Sequence, residues 1–258
     1  MDNQFLNKIF KLENKVVVIS GACGQLGKAM CEFFNNAGST VIGLDVQVSE
    51  GKNTASEYYK LDITKGNEVK AIFQKIFELH GRLDILVNNA GVSTFKPFEE
   101  RQEEDFDWVM DVNLKGTFNC IQKYVELYDH HKQSVGSIIN IASMYGMISP
   151  DFRIYTDCDR KNSEIYGATK AGIIQMSKYF AVHLANRNIR CNSVSPGGVF
   201  NPENPQGTDF RNNYGFRCPM KRMADANEIA GAVLYLAGDL ASYTTGQNIA
   251  IDGGMTSW

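Results

Sequence analysis

The stretch Ser20-Gly21-Ala22-Cys23-Gly24-Gln25-Leu26-Gly27 decides the fold of this chain. It follows the apolar run 15–20, which is typical of a buried strand, and it opens the segment 24–37, whose apolar residues recur at helical spacing. The glycines form a GxxGxxG pattern, which permits a tight turn and lets backbone N–H groups approach a pyrophosphate at the amino end of the helix. The sequence therefore predicts a phosphate-binding turn between the first strand and the first helix. The residues predicted to form this turn are Gly21, Gly24, Gln25, Leu26 and Gly27.

Strand-like and helix-like segments alternate along the rest of the chain. We predict strands at 15–20, 40–45, 57–63, 83–88, 137–142, 189–195 and 247–251. Helices are predicted at 24–37, 68–79, 103–129, 164–185 and 225–237, and the segment 201–216, rich in Pro, Asn and Gly, is predicted to be a mobile loop. This alternation is typical of an α/β protein with a doubly wound parallel sheet of about seven strands and helices on both faces. No linker or repeat divides the sequence, so we expect a single domain over 1–258.

Composition and charge exclude several classes of function. The chain is 43% hydrophobic and 21% charged, and its formal net charge is −3, which predicts a globular protein with no nucleic-acid or membrane partner. No apolar run is long enough to span a bilayer, and the first residues lack the uninterrupted apolar core of a secretory signal. The six cysteines form no CxxC pair and the histidines have no metal-ligand spacing. We therefore expect no metal, no disulfide framework and a reducing cytoplasm.

The aspartate at the end of the second predicted strand indicates which dinucleotide the turn would bind. Asp45 lies 18 residues after Gly27. A carboxylate there accepts hydrogen bonds from the two hydroxyls of an adenosine ribose and repels a 2′-phosphate. The alternative interpretation is an ordinary solvated loop aspartate. No Lys or Arg stands within the turn or directly after Asp45, where a 2′-phosphate would want one. The pattern favours NAD over NADP.

A tyrosine and a lysine share one face of the predicted helix 164–185. Tyr166 and Lys170 are four residues apart, which places the phenol and the ammonium together. A nearby cation favours the phenolate, so we expect it to lower the pKa of the tyrosine from about 10 toward neutrality, where general acid–base catalysis is most effective. Alone, this spacing is common and usually structural.

Other motifs accompany this pair in a fixed order. Asn88-Asn89-Ala90-Gly91 ends the fourth strand, Asn113-Leu114-Lys115-Gly116 lies in the long helix, and Ser143 follows the fifth strand. Pro196-Gly197 follows the sixth strand and Asp252-Gly253-Gly254 follows the last. The ordered set resembles the short-chain dehydrogenase/reductase family, over about 15–256. The resemblance implies a Rossmann-type fold and an oxidoreductase that uses a nicotinamide cofactor.

The resemblance also implies a role for each matching residue. Tyr166 would exchange a proton with a substrate hydroxyl or carbonyl, and Ser143 would hydrogen-bond the same oxygen. Lys170 would bind the nicotinamide ribose and lower the pKa of the tyrosine, and Asn113 would hold the water that links Lys170 to solvent. The further cofactor contacts that the resemblance implies come from Asp62, Ile63, Asn89, Gly91 and Val199.

The chain departs from the usual short-form pattern at three places. Gln25 replaces the middle glycine of TGxxxGxG, and its side chain could contribute a contact of its own. Asn201 stands where a threonine often caps the carboxamide contact. Ser143 and Tyr166 are 23 residues apart, more than short members commonly show. The segment between these two residues is similar to a small subgroup that serves bacterial surface-glycan pathways, including nonulosonic acid routes.

This longer segment is the predicted substrate-binding region. It leaves from one catalytic residue and returns to another, so we expect 150–155 to form one wall of the substrate pocket. Arg153 would pair with an anionic or heavily hydroxylated substrate, with Tyr155 in the same wall, and 201–214 would close from the opposite side.

Taken together, these features predict an NAD-dependent oxidoreductase acting on a hydroxyl or carbonyl of a polar small molecule, such as a sugar or sugar phosphate. A sugar-nucleotide dehydratase or epimerase is an alternative, favoured by the wide Ser143–Tyr166 spacing and disfavoured because the chain lacks the extra C-terminal domain of those relatives. A non-catalytic dinucleotide-sensing protein is a second, disfavoured because all four catalytic positions are intact. Apolar residues within 224–251 predict one contact between subunits, and the resemblance implies a second through the helices that carry Asn113 and Tyr166, so we expect a homotetramer or homodimer.

Overall fold

A parallel sheet forms the centre of the molecule in the computed structural model, which describes residues 10, 12–47, 54–131, 135–157 and 161–258. The strands lie in the order β3-β2-β1-β4-β5-β6-β7, and each neighbouring pair is parallel. The strand order reverses between β1 and β4, and ligands of such sheets bind in the crevice at this switch point. The strands are β1 (Val16–Ser20), β2 (Thr40–Asp45), β3 (Glu57–Lys60), β4 (Ile85–Asn88), β5 (Gly136–Ile141), β6 (Ile189–Pro196) and β7 (Asn248–Ile251).

Helices cover both faces of this sheet because successive strand residues point to opposite sides. Val17 packs in one apolar cluster with Phe34 and Ile229, whereas Val18 packs in the other with Phe73. The predicted doubly wound α/β fold is therefore confirmed. The helices are α1 (Gln25–Asn36), α2 (Gly66–His80), α3 (Glu103–Met110), α4 (Thr117–His131), α5 (Glu164–Leu184), α6 (Thr208–Arg217) and α7 (Ala226–Ala237).

The long helix predicted at 103–129 is not continuous. A π-helical turn, Asp111–Gly116, separates α3 from α4. Such a turn inserts an extra residue into the helical repeat and is frequent at functional sites. Asn113 lies in this turn with no solvent exposure, because its side chain is bonded to the segment that follows β4. The prediction of one uninterrupted helix is wrong here.

The loop predicted at 201–216 contains helix α6. Phe210 and Tyr214 of this helix pack in an apolar cluster with Met144 and Ile154, which come from the segment between Ser143 and Tyr166. Asp157 lies at the amino end of the helix, where its carboxylate accepts a hydrogen bond from the Phe210 N–H at 3.2 Å. The helix is ordered by contacts with a distant segment, which local composition does not report.

The third strand ends at Lys60 rather than at 63, so Asp62 and Ile63 belong to the turn that follows it.

Across the described ranges, no helix has the length and apolar character needed to cross a membrane, and no three His, Cys, Asp or Glu side chains are grouped as ligands for a metal ion.

Candidate active site

The phosphate turn has a geometry that only glycine permits at two positions. Gly21 has φ +66°, and a Cβ there would lie 2.8 Å from the Ala90 Cα. A Cβ on Gly27 would overlap the backbone of Gly21 and Ala22. Gly24 is the N-cap of α1 and carries no side-chain hydrogen bond to the helix. The amino end of α1 is therefore a backbone surface that a phosphate can approach closely.

Asp45 lies beside this turn, as the sequence predicted. One carboxylate oxygen of Asp45 accepts a hydrogen bond from the Cys23 N–H at 2.9 Å, and the other accepts one from the Gln47 N–H at 3.0 Å. Both contacts fix the carboxylate at the end of β2, where it lines the same cavity as the turn. The remaining lone pairs of this carboxylate can accept hydrogen bonds from ribose hydroxyls.

The cavity has a volume of about 940 Å³ and joins most of the predicted cofactor residues. Asp45, Asp62 and Ile63 line one end, and Ser143, Tyr166, Lys170 and Val199 line the other, with the glycine turn, Asn89 and Gly91 between them. Of the predicted phosphate-turn residues, Gln25 and Leu26 also line it, while Gly27 packs behind the turn. A cleft of this size, with a backbone cradle in the middle and polar groups at both ends, fits a dinucleotide.

Asn89 and Asp62 line this cavity, and their side chains also form hydrogen bonds that hold the neighbouring backbone turns in place. The amide of Asn89 donates hydrogen bonds to the carbonyl oxygens of Ser20 and Gly21, at 3.0 and 2.9 Å. Asp62 accepts hydrogen bonds from the backbone N–H and the hydroxyl of Thr64. These contacts hold the turn after β4 against the turn after β1, and they hold the turn that carries Ile63.

Tyr166, the predicted acid–base residue, lies in the first turn of α5. Ser163 caps this helix by accepting a hydrogen bond from the Tyr166 N–H at 3.2 Å, which fixes where the helix begins. The side chain of Ser143, which lies just beyond the end of β5, interacts with the phenol of Tyr166. Burial raises the pKa of Tyr166 above its usual value, and the interaction with Ser143 partly opposes this shift. The predicted lowering of this pKa by Lys170 is therefore not what the structure shows.

The geometry of Lys170 explains this difference. Its ammonium lies 5.4 Å from the centre of the Tyr166 ring and donates a hydrogen bond to the Ile141 carbonyl at 2.8 Å. Burial lowers the pKa of Lys170 to about 8, because the charged form is poorly solvated in the interior. Proximity thus joins Tyr166, Ser143 and Lys170 as predicted, while burial decides the pKa of the phenol.

Asn113 connects three segments of the site. Its side-chain oxygen accepts a hydrogen bond from the Val92 N–H at 2.8 Å, and its amide donates to the Val92 carbonyl and to the Thr169 hydroxyl. A Cβ on Gly91 would lie 3.4 Å from both Asn113 Oδ1 and Lys170 Nζ. Asn113 therefore holds the turn after β4 against α5 beside the lysine. The water that the family resemblance assigns to Asn113 stays a prediction.

The segment predicted to bind substrate divides into two parts. The side chain of Arg153 is 87% exposed and makes two hydrogen bonds of 2.8 Å to Asp151, and it does not line the cavity. This placement gives no geometric support for a substrate contact by Arg153, because its guanidinium is paired with Asp151 in the same turn and lies outside the cavity. Tyr155 points inward, where its hydroxyl lies 3.4 Å from that of Tyr145 and its ring packs on Phe210. The segments 150–155 and 201–214 thus contact each other rather than facing across a cleft.

Three residues of the site were not predicted from sequence. Tyr214 accepts a hydrogen bond from the Gly198 N–H, and Gln206 donates one to the Val199 carbonyl. The Thr169 hydroxyl accepts one from the Asn113 side-chain amide. No local signal in the sequence indicates the first two, because both lie in the segment predicted to be a loop. Thr169 stands inside the recognised Tyr-x-x-x-Lys pattern, so its position on the helix could have been used.

Comparison with known proteins agrees with this geometry. The family model described as enoyl-(acyl carrier protein) reductase matches residues 21–256. The 3-oxoacyl-[acyl-carrier-protein] reductase FabG of Thermotoga maritima is 38% identical over 255 residues, which cover 95% of this chain and 99% of that protein. The chain belongs to the short-chain dehydrogenase/reductase family. This short-chain dehydrogenase/reductase is therefore an oxidoreductase of a family that binds a nicotinamide cofactor.

Two solved structures are similar over almost the whole chain. A short chain dehydrogenase from Leptospira borgpetersenii, solved with bound NAD⁺, has a TM-score of 0.89 and 38% identity, and the match covers 97% of this short-chain dehydrogenase/reductase and 95% of that chain. The aldohexose dehydrogenase of Thermoplasma acidophilum has a TM-score of 0.84 and 28% identity, with 97% of each chain covered.

Proposed function

We propose that this protein is an NAD(H)-dependent oxidoreductase that interconverts a hydroxyl and a carbonyl group on a polar small molecule, such as a sugar or sugar phosphate. The observation that carries the cofactor assignment is the Asp45 carboxylate at the end of β2. Among the described residues that line the cavity, the cationic side chains are Lys28 and Lys170. Lys28 lies 3.6 Å from Glu203, and Lys170 lies at the catalytic end. Among the described residues, a 2′-phosphate at Asp45 would therefore meet a carboxylate, and Lys28, the cation nearer to it, is shared with Glu203.

The residues of the site have distinct tasks in this reaction. Tyr166 holds its proton at neutral pH, because burial raises its pKa, and it donates that proton to the carbonyl oxygen during reduction. Ser143 lies beside the Tyr166 phenol and can donate a hydrogen bond to the same substrate oxygen. Lys170 places a positive charge beside the phenol, which stabilises the phenolate as the proton leaves. A bound nicotinamide supplies the hydride donor or acceptor.

The support for a polar substrate comes from similarity to other proteins. One solved relative is an aldohexose dehydrogenase, and the segment after Ser143 resembles that of surface-glycan enzymes. Polar side chains of the flanking segments, such as Tyr145, Tyr155 and Ser93, bond to other side chains and do not line the cavity, so they add no separate support.

A second candidate is the reduction of a 3-oxoacyl group carried by an acyl carrier protein. The 38% identity to the Thermotoga maritima FabG favours it. This reaction would use the same Ser143, Tyr166 and Lys170, since it also moves a proton and a hydride to a ketone. The two candidates differ in the substrate and not in the catalytic groups.

A substrate screen separates these candidates. Purified protein is mixed with NAD⁺ and sugar phosphates, nucleotide sugars or polyols, or with NADH and a 3-oxoacyl thioester, and NADH absorbance is followed. Turnover of a sugar-derived compound supports the proposal, and turnover of the thioester alone supports the second candidate. Tyr166→Phe should lower kcat by about 10²- to 10⁴-fold. Tyr59→Phe, which changes a distant tyrosine bonded to Glu57, is the control. Cofactor binding without any turnover would instead indicate a dinucleotide-sensing protein.

A further inference from the structure

One hydrogen bond joins the two sides of the cofactor cavity. The side-chain amide of Gln25 donates it to the Phe200 carbonyl oxygen, 175 residues away along the chain. Gln25 is the first residue of α1 and directly follows the N-cap Gly24. Phe200 lies on the loop after β6, next to Val199. The family's usual glycine at position 25 has no side chain with which to make this bond.

Gln25 and Val199 line the same cavity from different elements. The turn of Gln25 is the part that a pyrophosphate approaches, whereas Val199 lies at the end that holds Ser143 and Tyr166. A dinucleotide that fills this cavity passes between α1 and the loop after β6. The Gln25–Phe200 hydrogen bond therefore holds these two elements together beside the middle of the bound molecule.

The loop after β6 is secured at its own ends by other contacts. The Gln206 amide donates a hydrogen bond to the Val199 carbonyl at 3.0 Å, and its oxygen accepts one from the Asn201 N–H at 3.4 Å. These bonds shape the loop but do not attach it to α1. A second link to α1 is the Lys28–Glu203 ion pair, whose side chains are 44% and 78% exposed. Exposed ion pairs contribute little, so the partly buried Gln25 bond is the stronger link.

We propose that Gln25 is a positioning residue that keeps the loop carrying Val199 closed against α1 and so slows the release of bound cofactor. Release requires the two sides of the cavity to separate, and the Gln25–Phe200 bond must break as they do. Formation of the cavity itself does not require this bond, because the sheet and the glycine turn build it. The effect is expected in the dissociation rate and not in the binding of a ligand that occupies only the adenosine end.

The experiment measures the release of reduced cofactor by stopped-flow fluorescence. An excess of a non-fluorescent competitor occupies the emptied site and prevents rebinding. Whichever of NADH and NADPH binds more tightly is used, so the result is independent of the proposed NAD preference and of the substrate. Gln25→Met keeps the length of the side chain but removes its donor, and Gln25→Ala is a second variant. The matched control is Gln74→Met, which removes a half-buried glutamine bonded to Glu78 on α2. The affinity of ADP, which lacks the nicotinamide half, is measured alongside.

We expect cofactor release to become about 3- to 10-fold faster in both Gln25 variants, as for the loss of one hydrogen bond. Release from Gln74→Met should match the wild type, and ADP affinity should change less than about twofold in every variant. An unchanged release rate in both Gln25 variants would overturn the proposal. A parallel loss of ADP affinity would also overturn it, because Gln25 would then act on the phosphate turn itself.

Discussion

The Tyr214 hydroxyl accepts a hydrogen bond from the Gly198 backbone N–H at 2.7 Å, which joins helix α6 to the segment that carries Val199. Tyr214 is 1% exposed, and burial raises the pKa of its phenol to about 12, so it stays protonated at all ordinary pH values. A helix in the segment predicted to be a loop thus sets the backbone path at one end of the cavity.

Loss of this hydroxyl should weaken both the fold and the site. Tyr214→Phe keeps the ring in the apolar cluster but leaves the Gly198 N–H without its acceptor, which costs about 1–3 kcal/mol. We expect a lower Tm, by about 2–4 °C for each kcal/mol lost, and a higher KM for the cofactor. Differential scanning calorimetry and steady-state kinetics check this. Tyr235→Phe, which alters an exposed hydroxyl near Thr244, should leave both values near those of the wild type.

The choice between NAD and NADP should depend on Asp45. The wild type is expected to bind NAD at least about tenfold more tightly than NADP, because the 2′-phosphate of NADP would approach a carboxylate. Asp45→Asn removes the charge with little change of shape, so the dissociation constant for NADP divided by that for NAD should fall toward one. Titration of both cofactors by fluorescence measures it, with Asp129→Asn at the far end of α4 as the control. Equal affinities in the wild type would refute the role of Asp45.

The burial of Lys170 should be visible in the pH dependence of stability. The folded protein releases the Lys170 proton near pH 8, whereas an unfolded lysine keeps it to about 10.5. Between these values the unfolded state binds more protons, so the free energy of unfolding contributed by Lys170 rises with pH. Relative to Lys170→Met, the wild type should gain stability from pH 8 upward, by at most about 1.4 kcal/mol per pH unit. Urea unfolding of both proteins from pH 7.5 to 9.5 tests this, and a constant difference would contradict it.

Asp157 should support substrate binding through α6 and not by contact. Asp157→Ala removes the carboxylate that accepts from the Phe210 N–H, and the loss of such an end contact costs about 1 kcal/mol. We expect α6 to loosen and the KM for the substrate found in the screen to rise. Arg153→Ala, in the same segment but exposed and paired with Asp151, should give wild-type kinetics. A large rise of KM for Arg153→Ala would restore its predicted role as a substrate contact.

Self-assembly remains a prediction, and exposed apolar side chains lie on both of the surfaces predicted to take part in it. Ile229, Val233 and Leu236, on which the sequence argument relied, are buried in the protein's own core. Other apolar side chains of the same segment are exposed, among them Leu240 and Tyr243, and further ones lie on α3 and α5, among them Trp108 and Val182, the latter 82% exposed. We expect light scattering at micromolar concentration to show a dimer or tetramer. Val182→Asp should shift the assembly toward smaller species, whereas Val135→Asp, at an exposed site just before β5, should leave the assembly unchanged. A monomeric wild type would end this prediction.

Much of the fold and of the site was determined by the sequence itself. Strands such as Val16–Ser20 are short apolar runs bounded by turn residues, and a continuous apolar run is what a strand buried on both faces requires. The glycine turn, Asp45, Ser143, Tyr166 and Lys170 were found because their chemistry is local or tied to strand ends, and parallel strands bring their carboxyl ends to one edge of the sheet.

Tertiary structure alone decided the remaining features, because they depend on contacts between segments far apart in the chain. Hydrogen bonds to Val92 and Thr169 hold Asn113 in the π turn. Helix α6 is held by the hydrogen bond to Asp157 and by the apolar cluster around Tyr214. The pKa of Tyr166 was predicted with the wrong sign, because sequence spacing reports the nearby lysine but not the extent of burial. Desolvation is a property of the whole packed interior, and it is the largest cause of the shift in the pKa of the Tyr166 phenol.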